Sequence, residues 1–249
     1  QASFEGEQMN RLLEVQGLTK RFGGFTALSE VDVHVLEGER FWLIGPNGSG
    51  KTTLINCISG ALFNDGGSVM FRGEDISRLP AYQRTRKGIA RSFQIPRPFS
   101  SMSVLENLIV PLEYVVHRRS IHTADTRGEA MAILADMGLS DKADVQANQL
   151  TQVDLRKLEL ARAMAARPRL LVSDEAMAGL STAEVDEVLA ILFRLNQQGI
   201  TIIMIEHIMQ AVMRFSQRVV CLDAGKIISQ GTPEEVVANP DVQRAYLGV

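Results

Sequence analysis

Two periodicities divide the chain. Near its start, residues 11–18 and 26–36 read as strands. In the second, Val31, Val33 and Val35 alternate with Asp32, His34 and Leu36, which gives one buried face. A short apolar run at 40–44 predicts a buried strand, and 68–71 and 88–93 read as further short strands. From about Pro96 to Arg167 the spacing turns helical, with helices predicted over 103–116, 126–137 and 154–166. Strands return at 170–173, 200–205, 218–222 and 226–229. Helices over 181–197 and 208–215 separate them, and one last helix runs from Pro233 to Leu247. The pattern predicts an α/β core of residues 9–95 and 168–249, interrupted by an all-helical insertion at 96–167. Residues 1–8 precede Met9 and are set aside as an appended remnant. No internal repeat or low-complexity segment is visible.

Composition narrows the functional classes. A chain of 249 residues can bury a large core without covalent staples. Lys and Arg total 26 against 29 Asp and Glu, a net charge of −3, which gives no support to nucleic-acid binding. Cys57 and Cys221 are the only cysteines; both lie in apolar patterns, which suits a reduced compartment and forms no metal-ligand cluster. The apolar tract 104–116 is interrupted by Glu106, Asn107, Pro111 and Glu113, so it does not span a bilayer. With no secretory leader visible, the expectation is a soluble cytosolic chain that reaches a membrane only through a partner.

The most informative stretch is 45–53, Gly-Pro-Asn-Gly-Ser-Gly-Lys-Thr-Thr, which fits the phosphate-loop pattern G-x-x-x-x-G-K-[ST]. It has the context the pattern needs: a buried strand before it, and after it a helix over 52–59 ending near Gly60. Gly45, Gly48 and Gly50 let backbone N–H groups turn toward phosphate oxygens where Cβ atoms would obstruct. The helix start adds its positive dipole end. Asn47, Ser49 and Thr53 complete the loop, Lys51 is placed to reach the β- and γ-phosphates, and the Thr52 hydroxyl to ligate Mg2+.

A second constellation lies at 170–175, a buried strand ending in Asp174 and Glu175. Carboxylates there are either an ordinary strand end or, beside a phosphate loop, a ligand site. In the second case Asp174 holds Mg2+ through water, while Glu175 polarises the water that attacks the γ-phosphate. His207 follows the strand at 200–205 and would leave the sheet on the same side, able to meet the γ-phosphate or the water. Gln94 ends the strand at the entry to the helical insertion, where a neutral amide can join the Mg2+ shell without adding charge.

Taken in order, these motifs resemble the ATP-binding cassette (ABC) transporter ATPases: GPNGSGKTT at 45–53, Gln94, a helical region, LELARAMAARPRLLVSDE at 158–175, AGLS at 178–181, and His207. The resemblance runs from Arg11 to Val249. It implies an α/β P-loop NTPase core with a mixed sheet, an antiparallel β subdomain and an inserted all-helical subdomain. It also implies that Phe22 stacks on adenine and that ATP and Mg2+ are the cofactors. Glu175 would be the general base, with His207 and Gln94 as its catalytic companions. Lys20-Arg-Phe-Gly-Gly24, Arg91-Ser-Phe-Gln94, Ile205-Glu-His207 and the 231–248 tail are similar to the larger ATPase subunit of branched-chain amino acid importers. That similarity implies transmembrane permease subunits and a second ATP-binding subunit, in a homo- or heterodimer. A solute-binding protein would be served indirectly, and the chain would sit peripherally at the cytoplasmic face of the membrane.

The chain departs from the family at its signature segment. Where L-S-G-G-Q should stand, it reads Leu150-Thr-Gln-Val-Asp154. Gln152 and Val153 put Cβ atoms where phosphate should approach, and Asp154 would repel it. Thr151 and Asp154 also fit a capping box that occupies the Thr151 hydroxyl locally. Ser181 and Ala176 stand where the family often has Asp and Pro. The alternative is therefore a nucleotide-binding regulatory subunit that depends catalytically on a paralogous partner. A P-loop kinase would leave Gln94 and His207 without a role. The basic residues Arg78, Arg84, Arg86, Lys87, Arg91 and Arg97, and the 117–119 run, read as a solvated face or as contacts to an acidic membrane partner. Phe93, Ile95, Phe99 and Met102 read as either core or the wall of a docking cleft.

Overall fold

The computed structural model describes residues 10–92, 98–116, 125–174, 177–206 and 208–247. Alternation at the start of the chain produces a long hairpin. β1 (Arg11–Phe22) pairs antiparallel with β2 (Phe25–Leu36), and Phe22 stands opposite Phe25 across a Gly23-Gly24 turn. Gly23 adopts φ 58°, the left-handed conformation such a turn favours. Backbone pairing thus carries β1 four residues past the predicted end at Leu18. β4 (Gly66–Phe71) pairs with the other edge of β1, and β5 (Glu74–Asp75) with β4, which gives an antiparallel sheet in the order β2-β1-β4-β5.

The second sheet has the order β10-β9-β3-β8-β7-β6. β3 (Arg40–Ile44), β6 (Ile89–Ser92), β7 (Leu170–Asp174), β8 (Thr201–Ile205) and β9 (Arg218–Asp223) run parallel, while β10 (Lys226–Gly231) is antiparallel to β9. Continuous apolar runs suit these strands because both faces of the sheet are covered. In β3, Phe41 and Leu43 join a cluster shared with the antiparallel sheet and helix α1 (Lys51–Ser59), whereas Trp42 and Ile44 join the cluster beneath the other helices. β8 divides in the same way, Ile203 and Ile205 against Ile202 and Met204.

The second cluster is continuous. Leu108 of α3 (Val104–Pro111), Leu134 of α4 (Thr126–Met137), Leu158 of α5 (Gln152–Met164), Leu192 of α6 (Thr182–Gln197) and Phe215 of α7 (Met209–Phe215) pack with Leu171 and Ile202 of the sheet. The helical stretch therefore shares its core with the parallel sheet. Met177 and Met131 belong to this packing, the former fully buried and the latter at its edge, as does Met164. No helix among the described residues is long and apolar enough to cross a membrane.

Three elements differ from expectation. Residues 103–116 form α3 followed by a π-helical turn at Leu112–Val116, since Pro111 has no N–H to continue the ladder. The single helix predicted from Pro233 to Leu247 is two, α8 (Pro233–Ala238) and α9 (Pro240–Leu247). Pro240 pushes the residue before it out of the helical region, and Asn239 is extended at ψ 124°. Helix α2 (Ala81–Lys87) occupies a stretch read only as basic.

That basic stretch is the main correction. Arg84 is fully buried, not solvated. Its guanidinium donates to the carbonyls of Cys57 and Ile58 at 2.5 and 2.9 Å, and to those of Leu79 and Ser77 at 2.8 and 3.0 Å. It thereby closes the C-terminal end of α1, where orphan carbonyls and the negative dipole end favour a cation. Burial lowers its pKa from the usual arginine value. Gly60, at φ 80° just past α1, accommodates it, because a Cβ there would meet Arg84 Nε at 2.8 Å. Arg91 also leaves the solvated face, as described below. Arg97 and residues 117–119 lie outside the described residues, as do Phe93 and Ile95.

Candidate functional site

The strand β3 delivers the chain into the 45–53 loop and then into α1, as the sequence predicts. A cavity of about 310 Å3 opens there, lined by Phe22, Phe25 and Ala27 on one side and by residues 47–53 on the other. The long hairpin explains the aromatic side: pairing beyond Leu18 projects Phe22 and Phe25, 48% and 63% exposed, toward the loop. Gly45 has no room for a side chain, since a Cβ would lie 2.1 Å from the Leu222 carbonyl oxygen of β9. At Gly48, φ 80° favours glycine, and its outer face is open with no atom within 4 Å of a built Cβ. Gly50, at φ 107°, starts α1 with no side-chain cap and no acidic residue in the first turn. The first N–H groups of the helix are therefore left for an external acceptor.

Lys51 is 7% exposed, and its Nζ donates to the carbonyl oxygens of Gly45 at 2.6 Å and Pro46 at 3.0 Å. The ammonium thus rests on the loop that carries it. Thr52 is exposed at the cavity, Thr53 is half-buried, and the Ser49 hydroxyl is buried without a hydrogen-bond partner among the described residues.

Asp174 ends β7 and is 6% exposed. Its Oδ2 accepts from Arg91 Nη2 at 2.6 Å, while Arg91 Nη1 donates to Asn56 Oδ1 at 2.5 Å. Arg91 of β6 thus ties the end of β7 to α1, a role the sequence does not display. Glu175 and Gln94 lie outside the described residues, and so does His207. Of the predicted site residues, the structure brings Phe22 and 47–53 around one cavity, with Gly45 at the base of its loop. It sets Asp174 at the end of a strand two positions from β3.

Glu206 was visible in the sequence only as the neighbour of His207. It is 3% exposed, and its Oε1 accepts from the Met177 N–H at 2.7 Å. Its backbone carbonyl accepts from Trp42 Nε1 at 3.3 Å. It therefore binds the chain just after β8 to the chain just after Glu175. A carboxylate directly after the apolar run 202–205 is the available signal.

The 150–154 segment is closed on itself. Thr151 Oγ1 accepts from the Asp154 N–H at 3.3 Å and donates to Asp154 Oδ2 at 2.7 Å. Lys142 Nζ also donates to Oδ2 at 2.6 Å, and Lys157 Nζ stands 3.8 Å from Oδ1. Burial by itself would raise the Asp154 pKa, but the hydrogen bonds from Lys142 and Thr151 and the charge of Lys157 hold it below the usual carboxylate value. The charge set against phosphate in the sequence is thus met within the chain by Lys142, while Lys157 donates instead to Glu187 Oε1 at 2.5 Å. Gln152 is exposed, and its Nε2 donates to the Ala178 carbonyl at 3.4 Å. Ser181 caps α6 in a reciprocal box with Glu184. The exposed ring of Phe99 lies under the Arg162 guanidinium, 5.1 Å from its carbon.

A family model described as ABC transporter matches residues 28–178, and one described as branched-chain amino acid ATP-binding cassette transporter matches 226–249. The high-affinity branched-chain amino acid transport ATP-binding protein BraF of Pseudomonas aeruginosa is 39% identical over 95% of this chain and 98% of its own. The ADP conformation of MJ1267, an ATP-binding cassette of an ABC transporter, superposes with a TM-score of 0.86 at 32% identity, over 96% of this chain and 99% of the other. The dimeric structure of MJ0796, a bacterial ABC transporter cassette, gives a TM-score of 0.80 at 25% identity over 89% and 98%. With the phosphate loop, the two sheets and the helical stretch in this order, the chain belongs to the ABC transporter family as one of its ATP-binding cassettes.

Proposed function

We propose that this chain is the ATP-hydrolysing subunit of an importer for branched-chain amino acids, seated against membrane-spanning permease subunits at the cytoplasmic face. The observation that carries this reading is the Phe22–Phe25 and 47–53 cavity with an uncapped helix start on its floor. The similarity to a branched-chain transport ATPase over nearly the full length supports the cargo class, as does the match of the tail. The cargo itself would touch the permease and solute-binding protein rather than this subunit.

Phe22 would stack on adenine, and the amides of 48–53 with Lys51 would hold the phosphates. Mg2+ fits the donors present: Thr52 and Asp174 offer only oxygen, and this ion is usually held by one or two carboxylates together with substrate phosphates. Thr52 and Asp174 would hold the ion, which would supply positive charge to offset that of the phosphates. Gln94 is assigned to the same shell. Arg91 fixes the Asp174 carboxylate in place. Glu175 would take the proton of the attacking water, with His207 beside it. Residues 96–167 would act as the unit that passes motion to the permease. A second cassette would cover the nucleotide from the far side with its 150–154 segment.

The self-capped 150–154 segment is what favours the regulatory reading, in which a paralogous partner does the hydrolysis. The comparisons favour the transport ATPase instead. Steady-state hydrolysis measured with and without the co-purifying partner separates the two. Glu175→Gln should keep nucleotide binding and trap ATP-bound dimers, with turnover reduced by about a hundredfold or more. Parental turnover in that variant would remove Glu175 as the base.

A further inference from the structure

The tail after β10 makes one polar contact that the catalytic scheme does not use. The Gly45 N–H donates to Tyr246 Oη at 2.8 Å, joining the last turn of α9 to the first residue of the phosphate loop. The contact is built rather than incidental. Thr232 caps α8 in a reciprocal box with Glu235, and Val236 is fully buried. Asn239 then fixes the corner: its Nδ2 donates to Ser229 Oγ at 3.2 Å and its Oδ1 accepts from the Asp241 N–H at 2.8 Å. Val242 is 4% exposed, so α9 is anchored at its start as well, and Tyr246 is carried to the loop.

Gly45 lies one residue beyond Ile44, the last residue of β3 paired with β9, so its N–H falls outside that ladder. Its carbonyl accepts from Lys51 Nζ at 2.6 Å. One residue is thereby held at both its polar groups, by the tail on one side and by the phosphate-binding ammonium on the other. Burial raises the phenol pKa, with the Gly45 hydrogen bond opposing, so Oη remains a neutral hydroxyl near neutral pH.

We propose that α9 is a latch on the phosphate loop, with Tyr246 the positioning residue that fixes Gly45 and, through it, the seat of Lys51, and so sets nucleotide affinity. The inference rests on the nucleotide-binding reading above. It is tested on the full chain with Tyr246→Phe, which keeps the ring and removes only the oxygen. The Kd for ATP with Mg2+, measured by calorimetry, should rise about three- to tenfold, the range for loss of one hydrogen bond. KM should rise by the same factor with kcat nearly unchanged, and hydrogen exchange at the Gly45 amide should quicken. An unchanged Kd overturns the latch, and so does a raised Kd with unaltered Gly45 exchange. A lowered melting temperature with Kd intact would mean that Tyr246 only packs the tail. If the parental chain bound no ATP, the nucleotide reading would fail first and the latch with it.

Discussion

The starts of α1 and α5 are the same kind of structure put to opposite use. α1 begins at Gly50 with no side-chain cap and no acidic residue in its first turn. α5 begins at Thr151 with a hydroxyl cap and a buried Asp154, which Lys142 pairs directly and Lys157 faces from 3.8 Å. With glycine at the cap position, α1 gives up about a few tenths of a kcal/mol of capping. In exchange it presents an anion site. α1 recovers stability at its other end, where Arg84 takes the last carbonyls. One helix start is thus left open and anchored from behind, while the other is capped by its own side chain.

The largest test of this contrast is Arg84→Met, which leaves buried carbonyls without their donor. It should cost about 3 kcal/mol, and so lower the melting temperature by roughly 6–12 °C for a chain of this size. A shift within about 1 °C would show that α1 does not depend on its rear anchor. Next is Lys51→Met, which should weaken ATP binding about ten- to hundredfold, as loss of a charged hydrogen-bond donor does, while the fold melts normally. Equal affinity would place the phosphates elsewhere. The smallest effect concerns Asp154→Asn. The native carboxyl titrates below its unfolded value, so its stabilisation is present above that value and disappears as pH falls through the native one. The parental chain should therefore be the more stable near neutrality, and the gap should narrow as pH drops below about 4. A gap that is constant with pH would mean that Lys142 and Lys157 do not pair with the charge.

What could be read from the residues alone follows from the range of the forces involved. The strand, loop and helix over 40–59 are consecutive in sequence, so glycine placement and apolar runs reveal them directly. The hairpin was legible except for its tip, where backbone pairing rather than side-chain pattern extends the strands. Arg84 was misread because a basic run on a short helix looks like a solvated face; only folding brings the end of α1 against it. Arg91 to Asp174, Glu206 to Met177 and Tyr246 to Gly45 join residues far apart along the chain, and no local spacing announces them. The break at Asn239 is a different case, since its cause, Pro240, is local and lies inside the single helix predicted from Pro233 to Leu247.

The two glycines that turn β1 into β2 leave a pair of phenyl rings flanking the nucleotide cavity. A phenyl face responds to the flatness of a base and not to the donors and acceptors along its rim. In the proposed assembly, adenine and guanine would therefore be held almost alike. The choice of fuel would then fall to whichever triphosphate the compartment keeps in greater supply.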